Sequence, residues 1–395
     1  MAIASRAISF NADTTNGLSA FKVYCILFIA FLLETELGRI AGFRAELLLS
    51  VLVSVFYIVG VAYSTNFRIT VVTTLLTVPA LLYFGFLLSS AIWSVAPIQS
   101  FLYGALFCLF ILTCTIGPAV PLKYVAINTI KAIAMICVLS WVFYAVAGGA
   151  ALSDKDVAWR LKGIMAHEQR LALFCGIGII LSYFYRLQLS RTTILFSLAI
   201  FVITLLATQA RAFTIFVILV IGVINVVESK GFKKLISVMI LAVAAIGFYG
   251  VSSTVADKFS RGANDQTLSG RTTIWEHTLY RSQERPYFGF GFGSFLEEGV
   301  ANQIFQSYSP PHAHNTFVHS LFETGKIGTL LLIVWMLSLA NTSSANRLAS
   351  YLIFFSVLCG MMGIIFGSKM TGTALLVVFI ISSACTIVKK NELSK

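Results

Sequence analysis

The sequence predicts an all-α integral membrane protein with about 12 transmembrane helices and a large external loop that carries short helices. Hydrophobic residues make up 58% of the 395-residue chain and charged residues only 11%, and the mean hydropathy is +0.89. Soluble domains contain about 45–50% apolar and about 25% charged residues. Apolar runs of about 20 residues, the length that crosses a bilayer as a helix, recur along the whole chain.

We identify the candidate spans from these runs, taking the chain as a single polytopic membrane domain over residues 1–395. Their approximate bounds are 18–34, 46–64, 70–93, 99–119, 124–148, 170–187, 191–209, 211–227, 234–252, 316–338, 349–367 and 370–388. The stretch 191–227 is too long for one helix at about 1.5 Å per residue, and Arg211 interrupts it. We therefore expect a hairpin with Arg211 at its tip.

Arg211 has two readings. An arginine between apolar helices is costly unless it is paired or faces water. Its side chain either extends to the lipid headgroups or lines a cavity and binds an anion.

The basic clusters orient the spans. The short loops "YRLQLSR" and "ESKGFKK" and the tail "KKNELSK" are dense in Lys and Arg, which is typical of cytoplasmic segments. The opposite side then holds "WSVAPIQS", 149–169, the Arg211 tip, "GSKMTG" and a large loop at 253–315 between the ninth and tenth spans. In that loop, Ser269 is a plausible helix N-cap and Pro286 a helix stop.

The formal charge of +12 reflects cytoplasmic basic loops or a site for an anionic ligand. Nucleic acid is not expected as a partner, because no soluble basic domain is evident. All seven cysteines lie in apolar runs, so no disulfide framework is indicated. The glycine-rich "GFGFGSF" lacks the Lys-Ser/Thr ending of a phosphate loop, and we expect no cofactor.

Three of the five histidines lie within "SPPHAHNTFVHSLFETGKIG", residues 309–328. His312 and His314 resemble a metal pair, but no cysteine or H-E-x-x-H helix accompanies them, so no metal is predicted. Asn315 is a good N-cap for a helix from 316 onward. The positive end of that helix disfavours imidazolium, and a neutral imidazole is what a general base needs. His314 is therefore a candidate base, with a hydrogen-bonded structural histidine as the alternative.

The rest of this segment reads as structural. His319 and Glu323 are four residues apart and can pair on one helix face. Gly325 and Gly328 are expected to let the helix pack closely against a neighbour.

Arginine supplies the complementary chemistry on the external side. Its planar, permanently charged guanidinium recognises phosphate through several bonds. Arg211 and Arg271 together suit a diphosphate, and His314 beside them would deprotonate an incoming hydroxyl, which is a complete logic for glycosyl transfer from a lipid diphosphate. Further candidate substrate-binding residues on this side are Asn315, His312, Arg281, Arg285 and Arg160.

These motifs resemble those of the O-antigen ligase/O-antigen polymerase superfamily of bacterial glycan assembly. The family's ligase motif (His, then Asn/Ser/Gln, nine residues, Gly, two residues, then Gly/Thr/Tyr) is matched in full by His314, Asn315, Gly325 and Gly328. "TQARAF", "SGRTTIW…GFGFGSF" and "SSAIWSVAP" resemble further family segments. "WRLKGIMAHEQ" resembles a loop that usually carries Asn, and His167-Glu168-Gln169 departs from it.

The resemblance implies about twelve helices with a large periplasmic loop in the bacterial inner (cytoplasmic) membrane, and an active site facing the periplasm. It implies an inverting, metal-independent transfer from an undecaprenyl-diphosphate-linked glycan, with His314 as the essential histidine and Arg211 and Arg271 at the diphosphate. A ligase would use a lipid A–core sugar as acceptor, whereas an O-antigen or exopolysaccharide polymerase would extend a lipid-linked repeat unit. A polysaccharide-lipid transporter is the alternative of another class. Membrane lipids are expected partners in every case.

Overall fold

A computed structural model describes residues 12–36, 39–40, 43–64, 77–153, 159–231, 234, 238–239, 271–295, 310, 312–342, 346–363, 365 and 371–392. Most of the predicted span 234–252 lies outside these residues. So do the loop residues 253–270 and 296–309, with the predicted N-cap Ser269.

The described chain is helical, which confirms the all-α class. Its α-helices are α1 Ala12–Leu32, α2 Ala45–Ser64, α3 Val78–Ser89, α4 Pro97–Thr115, α5 Leu122–Ala147, α6 Glu168–Phe184, α7 Arg191–Ala207, α8 Arg211–Glu228, α9 Arg271–Ser282, α10 Thr316–Thr342, α11 Arg347–Met362 and α12 Gly372–Glu392. Two-residue strands β1 (Arg39–Ile40) and β2 (Phe43–Arg44) pair antiparallel between α1 and α2.

Five described stretches are long and apolar enough to cross a membrane. They are α2, α4, Leu122–Ala151, α8 and Thr316–Asn341, and five further apolar helices are shorter. The chain is thus an integral membrane protein by these helices, while the total of twelve spans and the sidedness stay predictions. An aromatic cluster fixes the centre of the bundle, where Tyr83 of α3 stacks on Trp335 of α10 at 5.6 Å and Phe107 of α4 meets the same indole at 6.0 Å.

The hairpin predicted at Arg211 is present. α7 ends at Ala207, and α8 begins at Arg211 after a three-residue link. Gln209 has a left-handed φ of 51°, and its carbonyl accepts a 2.9 Å bond from the Arg211 amide. This tight turn puts Arg211 at the tip, where the periodic apolar pattern of the sequence breaks.

Helix α10 is discontinuous, and this corrects the expected role of Gly325. Gly325 does not serve as a helix-packing glycine, because its φ of 63° and ψ of −169° break the helix. A Cβ there would lie 2.4 Å from the carbonyl atoms of Tyr287. Gly328 does lie at a close contact, since its Cβ would come within 2.7 Å of the Phe86 ring of α3.

The loop at 286–295 fills the break. Four backbone hydrogen bonds join the two segments: Phe290 N to Phe322 O (3.0 Å), Gly291 N to Glu323 O (2.8 Å), Lys326 N to Pro286 O (2.9 Å) and Ile327 N to Tyr287 O (3.1 Å). Backbone groups freed inside a membrane need such partners, because lipid offers none. The "GFGFGSF" stretch therefore supplies hydrogen-bond donors to α10 at its break.

Candidate functional site

Two of the predicted site residues, Arg271 and Asn315, contact the C-terminal end of α11. The last carbonyls of a helix lack partners within it, and here side chains from two other segments supply them. The Arg271 Nη1 donates to Met362 O at 3.0 Å, and the Asn315 Nδ2 donates to Met361 O at 3.1 Å. Thr316 Oγ1 donates to Gly363 O at 3.1 Å. One helix end thus fixes Arg271 relative to the start of α10.

Asn315 is the N-cap of α10, as predicted. Its Oδ1 accepts bonds from the amides of Phe317 (2.9 Å) and Val318 (3.1 Å), which satisfies two of the unpaired donors at a helix start. Its Nδ2 is the same group that bonds α11. A single side chain therefore joins the beginning of one helix to the end of another.

His314 directly precedes this cap in an unusual backbone conformation. Its φ is +53°, in the left-handed region that costs a non-glycine residue roughly 1–2 kcal/mol. The His314 amide donates to His312 Nδ1 at 3.3 Å, and the two rings meet edge-on at 4.2 Å. His312 thus uses its Nδ1 to hold the backbone of His314 in position. Among the described residues, no group of three or more His, Cys, Asp or Glu side chains could hold a metal ion.

Helix α9 contacts the site through one of its faces. Arg271 and Trp275 lie one turn apart on the same face, and Trp275 Nε1 donates to Ala313 O at 2.8 Å. The same face therefore contacts both the α11 end and the residue before His314. Burial lowers the pKa of Arg271, whereas the nearby Glu168 carboxylate acts to raise it.

Glu168 is a buried acid that the sequence did not single out for this site. It begins α6, is only 2% exposed, and lies 2.6 Å from His167 Nδ1 and 3.7 Å from Arg160 Nη1. Burial acts to raise the pKa of Glu168, but the hydrogen bond and charge of His167, with further hydrogen bonds from the backbone and Ser153, together lower the pKa to about 2. The signal available was an acid directly ahead of an apolar run, eight residues after an arginine.

The residues on either side of Arg160 are hydrogen-bonded to the hairpin that contains Arg211. The Leu161 amide donates to Ala207 O at 3.0 Å, and Gln209 Nε2 donates to Trp159 O at 2.6 Å. Arg211 itself is exposed, and no carboxylate within the described ranges pairs with it.

Arg211 also begins a helix that reaches the α11 end. Two residues along α8 from Arg211, the buried Phe213 ring lies 3.5 Å from where a Gly363 Cβ would be. Arg160, Arg211, Arg271, His312, His314 and Asn315 therefore share one end of the bundle.

Arg281 and Arg285 lie apart from Arg271. They follow it by 10 and 14 residues, and 10 residues of helix span about 15 Å. Arg281 pairs with Glu284 at 3.1 Å. Arg285 Nη1 donates to Trp93 O at 3.2 Å and stands 5.1 Å over the Phe290 ring. These contacts fasten the 286–295 loop to the segment after α3.

The predicted pairing of His319 with Glu323 is present. His319 Nε2 lies 3.3 Å from Glu323 Oε1, and both side chains are buried. Glu323 Oε1 also accepts from the Phe295 amide at 3.4 Å, and the Phe295 ring packs on His319 at 4.9 Å. The pair therefore anchors the loop that fills the break in α10.

Comparisons with known proteins show what the chain is similar to. The chain is a helical membrane protein. Its residues 194–333 match the family model described as O-antigen ligase. This segment is about a third of the chain and contains Arg211, Arg271 and His314.

A curated relative points to the same group. The chain is 30% identical over 126 residues to the exopolysaccharide production protein ExoQ of Rhizobium meliloti (strain 1021). That match covers 28% of this chain and 28% of ExoQ. Together the two matches confirm the predicted resemblance to the O-antigen ligase/polymerase superfamily.

Proposed function

We propose that this protein is a membrane glycosyltransferase that moves a glycan from undecaprenyl diphosphate onto a sugar hydroxyl, with its site facing the periplasm of the inner membrane. One observation carries the proposal. The Arg271 guanidinium and the Asn315 cap that precedes α10 bond adjacent carbonyls at the end of α11. These bonds hold Arg271, whose guanidinium suits phosphate, close to His314 at the start of α10.

Each side chain has a defined task in this reaction. His314 takes the proton of the acceptor hydroxyl as its oxygen attacks the anomeric carbon of the donor sugar. The bond between that carbon and the diphosphate oxygen breaks, and undecaprenyl diphosphate leaves with the electron pair. Attack from the face opposite the leaving group inverts the anomeric centre.

The arginines stabilise the leaving diphosphate. Its negative charge grows as the glycosidic bond breaks, and preorganised donors aimed at developing charge are usually the largest catalytic contribution. Arg271 keeps further nitrogens beyond the Nη1 that bonds Met362, and Arg211 presents an exposed guanidinium. Arg160, held beside Glu168, adds a third positive group.

The acceptor defines two versions of this function. The complete His-Asn-Gly-Gly motif favours ligase chemistry with a lipid A–core acceptor. The name of the relative ExoQ, an exopolysaccharide production protein, favours an exopolysaccharide polymerase that extends lipid-linked repeat units.

A knockout of the gene separates these versions. Core-lipid A without O-chain indicates a ligase, and one repeat unit on the core indicates an O-antigen polymerase. Loss of secreted polysaccharide with intact lipopolysaccharide indicates an exopolysaccharide polymerase. Transport of a labelled lipid-linked glycan by the purified protein, without glycan growth, would instead support the transporter.

The catalytic proposal is tested with purified protein and lipid-linked donor extracted from host membranes. Loss of a general base costs about 10²–10⁴-fold in rate, so His314→Ala is expected to lose transfer to that extent. His277→Ala, six residues beyond Arg271 on α9, is the matched control and is expected to keep wild-type activity. Full activity in His314→Ala refutes the base. Activity lost to a chelator and restored by a divalent metal would favour the His312/His314 metal pair.

A further inference from the structure

Three aromatic side chains form a compact group where α5 reaches the same end of the bundle as Arg211. Trp141 and Tyr144 belong to α5, and Trp159 belongs to the segment that precedes α6. Their ring centroids are 6.1 Å (Trp141–Tyr144), 5.5 Å (Tyr144–Trp159) and 6.2 Å (Trp141–Trp159) apart. The Tyr144 ring meets both indoles nearly edge-on, at 86° and 82°. We name these three side chains the aromatic platform.

Internal hydrogen bonds fix the platform. Trp159 Nε1 donates to the Tyr144 hydroxyl at 2.9 Å, and Trp141 Nε1 donates to Thr204 Oγ1 of α7 at 3.0 Å. Both indole N–H groups are thus used in hydrogen bonds within the protein. Trp159 is nevertheless 41% exposed, whereas tryptophan is highly buried on average.

The platform is tied to the arginines of the proposed site. Arg160 follows Trp159 directly and pairs with Glu168. The Trp159 carbonyl accepts the 2.6 Å bond from Gln209, two residues before Arg211. A molecule whose diphosphate lies between these arginines would bring the group attached to that diphosphate next to the platform.

We propose that Trp159, supported by Tyr144, stacks against a sugar ring of the lipid-linked donor glycan. This inference rests on the proposed function, since it names the part of the donor that the aromatic platform contacts. The face of a pyranose presents C–H groups, and the negative π face of an indole attracts them while covering apolar area. An exposed ring beside permanent positive charges suits a ligand that is part sugar and part diphosphate. The competing use of the same ring is as an anchor among lipid headgroups, where Trp and Tyr are enriched.

Binding measurements separate the two uses without requiring turnover. One probe is the oligosaccharide released by mild acid from the host's lipid-linked pool, and the other is undecaprenyl diphosphate without sugar. Trp159→Leu keeps an apolar side chain but removes the π face, whereas Trp159→Phe keeps a ring. Tyr63→Leu is the matched control, because it removes an exposed ring (82% exposed) at the C-terminal end of α2, outside the aromatic platform.

Loss of one stacked ring in Trp159→Leu is expected to raise the Kd for the oligosaccharide about 3- to 10-fold, which corresponds to about 0.7–1.4 kcal/mol and lies within the range of aromatic stacking. Trp159→Phe and Tyr63→Leu are expected to stay within about twofold of wild type, and the Kd for undecaprenyl diphosphate is expected to stay unchanged in all three. The oligosaccharide should also shift the tryptophan emission of the wild-type protein, and Trp159→Phe should lose that shift while remaining folded.

Two results would overturn the inference. The first is an oligosaccharide Kd in Trp159→Leu equal to that of wild type, or no oligosaccharide binding to the wild-type protein at all. The second is an equal loss of both probes in Trp159→Leu, which identifies the ring as a structural or lipid anchor. Failure of the proposed function looks different: the wild-type protein would bind the oligosaccharide in a Trp159-dependent manner yet transfer no glycan.

Discussion

Replacing Gly325 with alanine tests how the break in α10 is maintained. Gly325 has φ 63° and ψ −169°, a combination available essentially only to glycine. The added Cβ would lie 2.4 Å from the Tyr287 carbonyl carbon and oxygen. Backbone atoms cannot rotate away as a side chain does. Either the 286–295 loop moves off α10, or residue 325 becomes helical and closes the gap that the loop fills.

The free energy follows from the bonds that cross the break. Four backbone hydrogen bonds connect the loop and α10, each with a net value of about 1 kcal/mol. A straightened helix recovers bonds for the Lys326 and Ile327 amides, whereas the loop groups are left behind. About 2 kcal/mol of lost bonding and about 1–2 kcal/mol of backbone strain or displaced packing give a destabilisation of about 3–4 kcal/mol.

Unfolding in detergent provides the assay. Membrane proteins commonly unfold irreversibly, so a rate at fixed temperature is the appropriate quantity. A thiol-reactive fluorophore reports exposure of the buried Cys114, Cys175 and Cys359. Because 1.4 kcal/mol corresponds to a factor of ten, we expect Gly325→Ala to unfold at least tenfold faster than the wild-type protein.

The matched control is Gly85→Ala. Gly85 lies inside α3 with nothing within 4 Å of an added Cβ, so alanine there is expected to leave stability unchanged or to raise it by up to about 1 kcal/mol. A Gly325→Ala protein that unfolds at the wild-type rate would refute the claim that the glycine conformation maintains the break.

Three further predictions concern the site. Arg271→Lys keeps the charge but loses the planar fork that serves Met362 and a diphosphate at once; we expect kcat/KM for the lipid-linked donor to fall about 10- to 100-fold, and a wild-type value would contradict this role. Asn315→Ser keeps a capping oxygen that Asn315→Ala removes, and both variants lose the Nδ2 bond to Met361, so thermal unfolding should find the Ser variant more stable by about 1 kcal/mol; equal stability would argue against the cap. The pKa of Glu168 is depressed from its ordinary 4.5 to about 2. Its carboxylate therefore stabilises the fold fully at a pH above 4.5, and this stabilisation is lost as the pH falls toward 2. Wild type should exceed Glu168→Gln by about 2 kcal/mol at pH 7, after discounting the exposed His167 partner for screening, and by less than half of that near pH 3; a difference independent of pH would assign the effect to packing.

The features that could be predicted from sequence are local. Arg211 interrupts an apolar run, and an interrupted run of that length has to turn. Asn315 follows two prolines and precedes a periodic apolar stretch, which is a helix start by local chemistry. His319 and Glu323 share a face by helical spacing alone.

The missed features depend on contacts between distant parts of the chain. The break at Gly325 lies in a stretch compatible with a continuous helix, and it exists because Pro286 and Tyr287 supply acceptors to the amides beyond it. Glu168 is the first residue of its helix, where an acid is ordinary beside the positive helix end. Its position near Arg271, more than 100 residues later, is a property of the fold that no spacing rule contains.

The shared capping of α11 makes that helix end a natural reporter of ligand occupancy. The carbonyls of Met361 and Met362 accept from Asn315 and Arg271, so the order of the last turn depends on where these two side chains are held. A ligand that fixes the remaining nitrogens of Arg271 stiffens this turn, and by reciprocity a well-formed turn raises the affinity for that ligand by the same free energy. Amide hydrogen exchange at the end of α11 should therefore slow when donor binds.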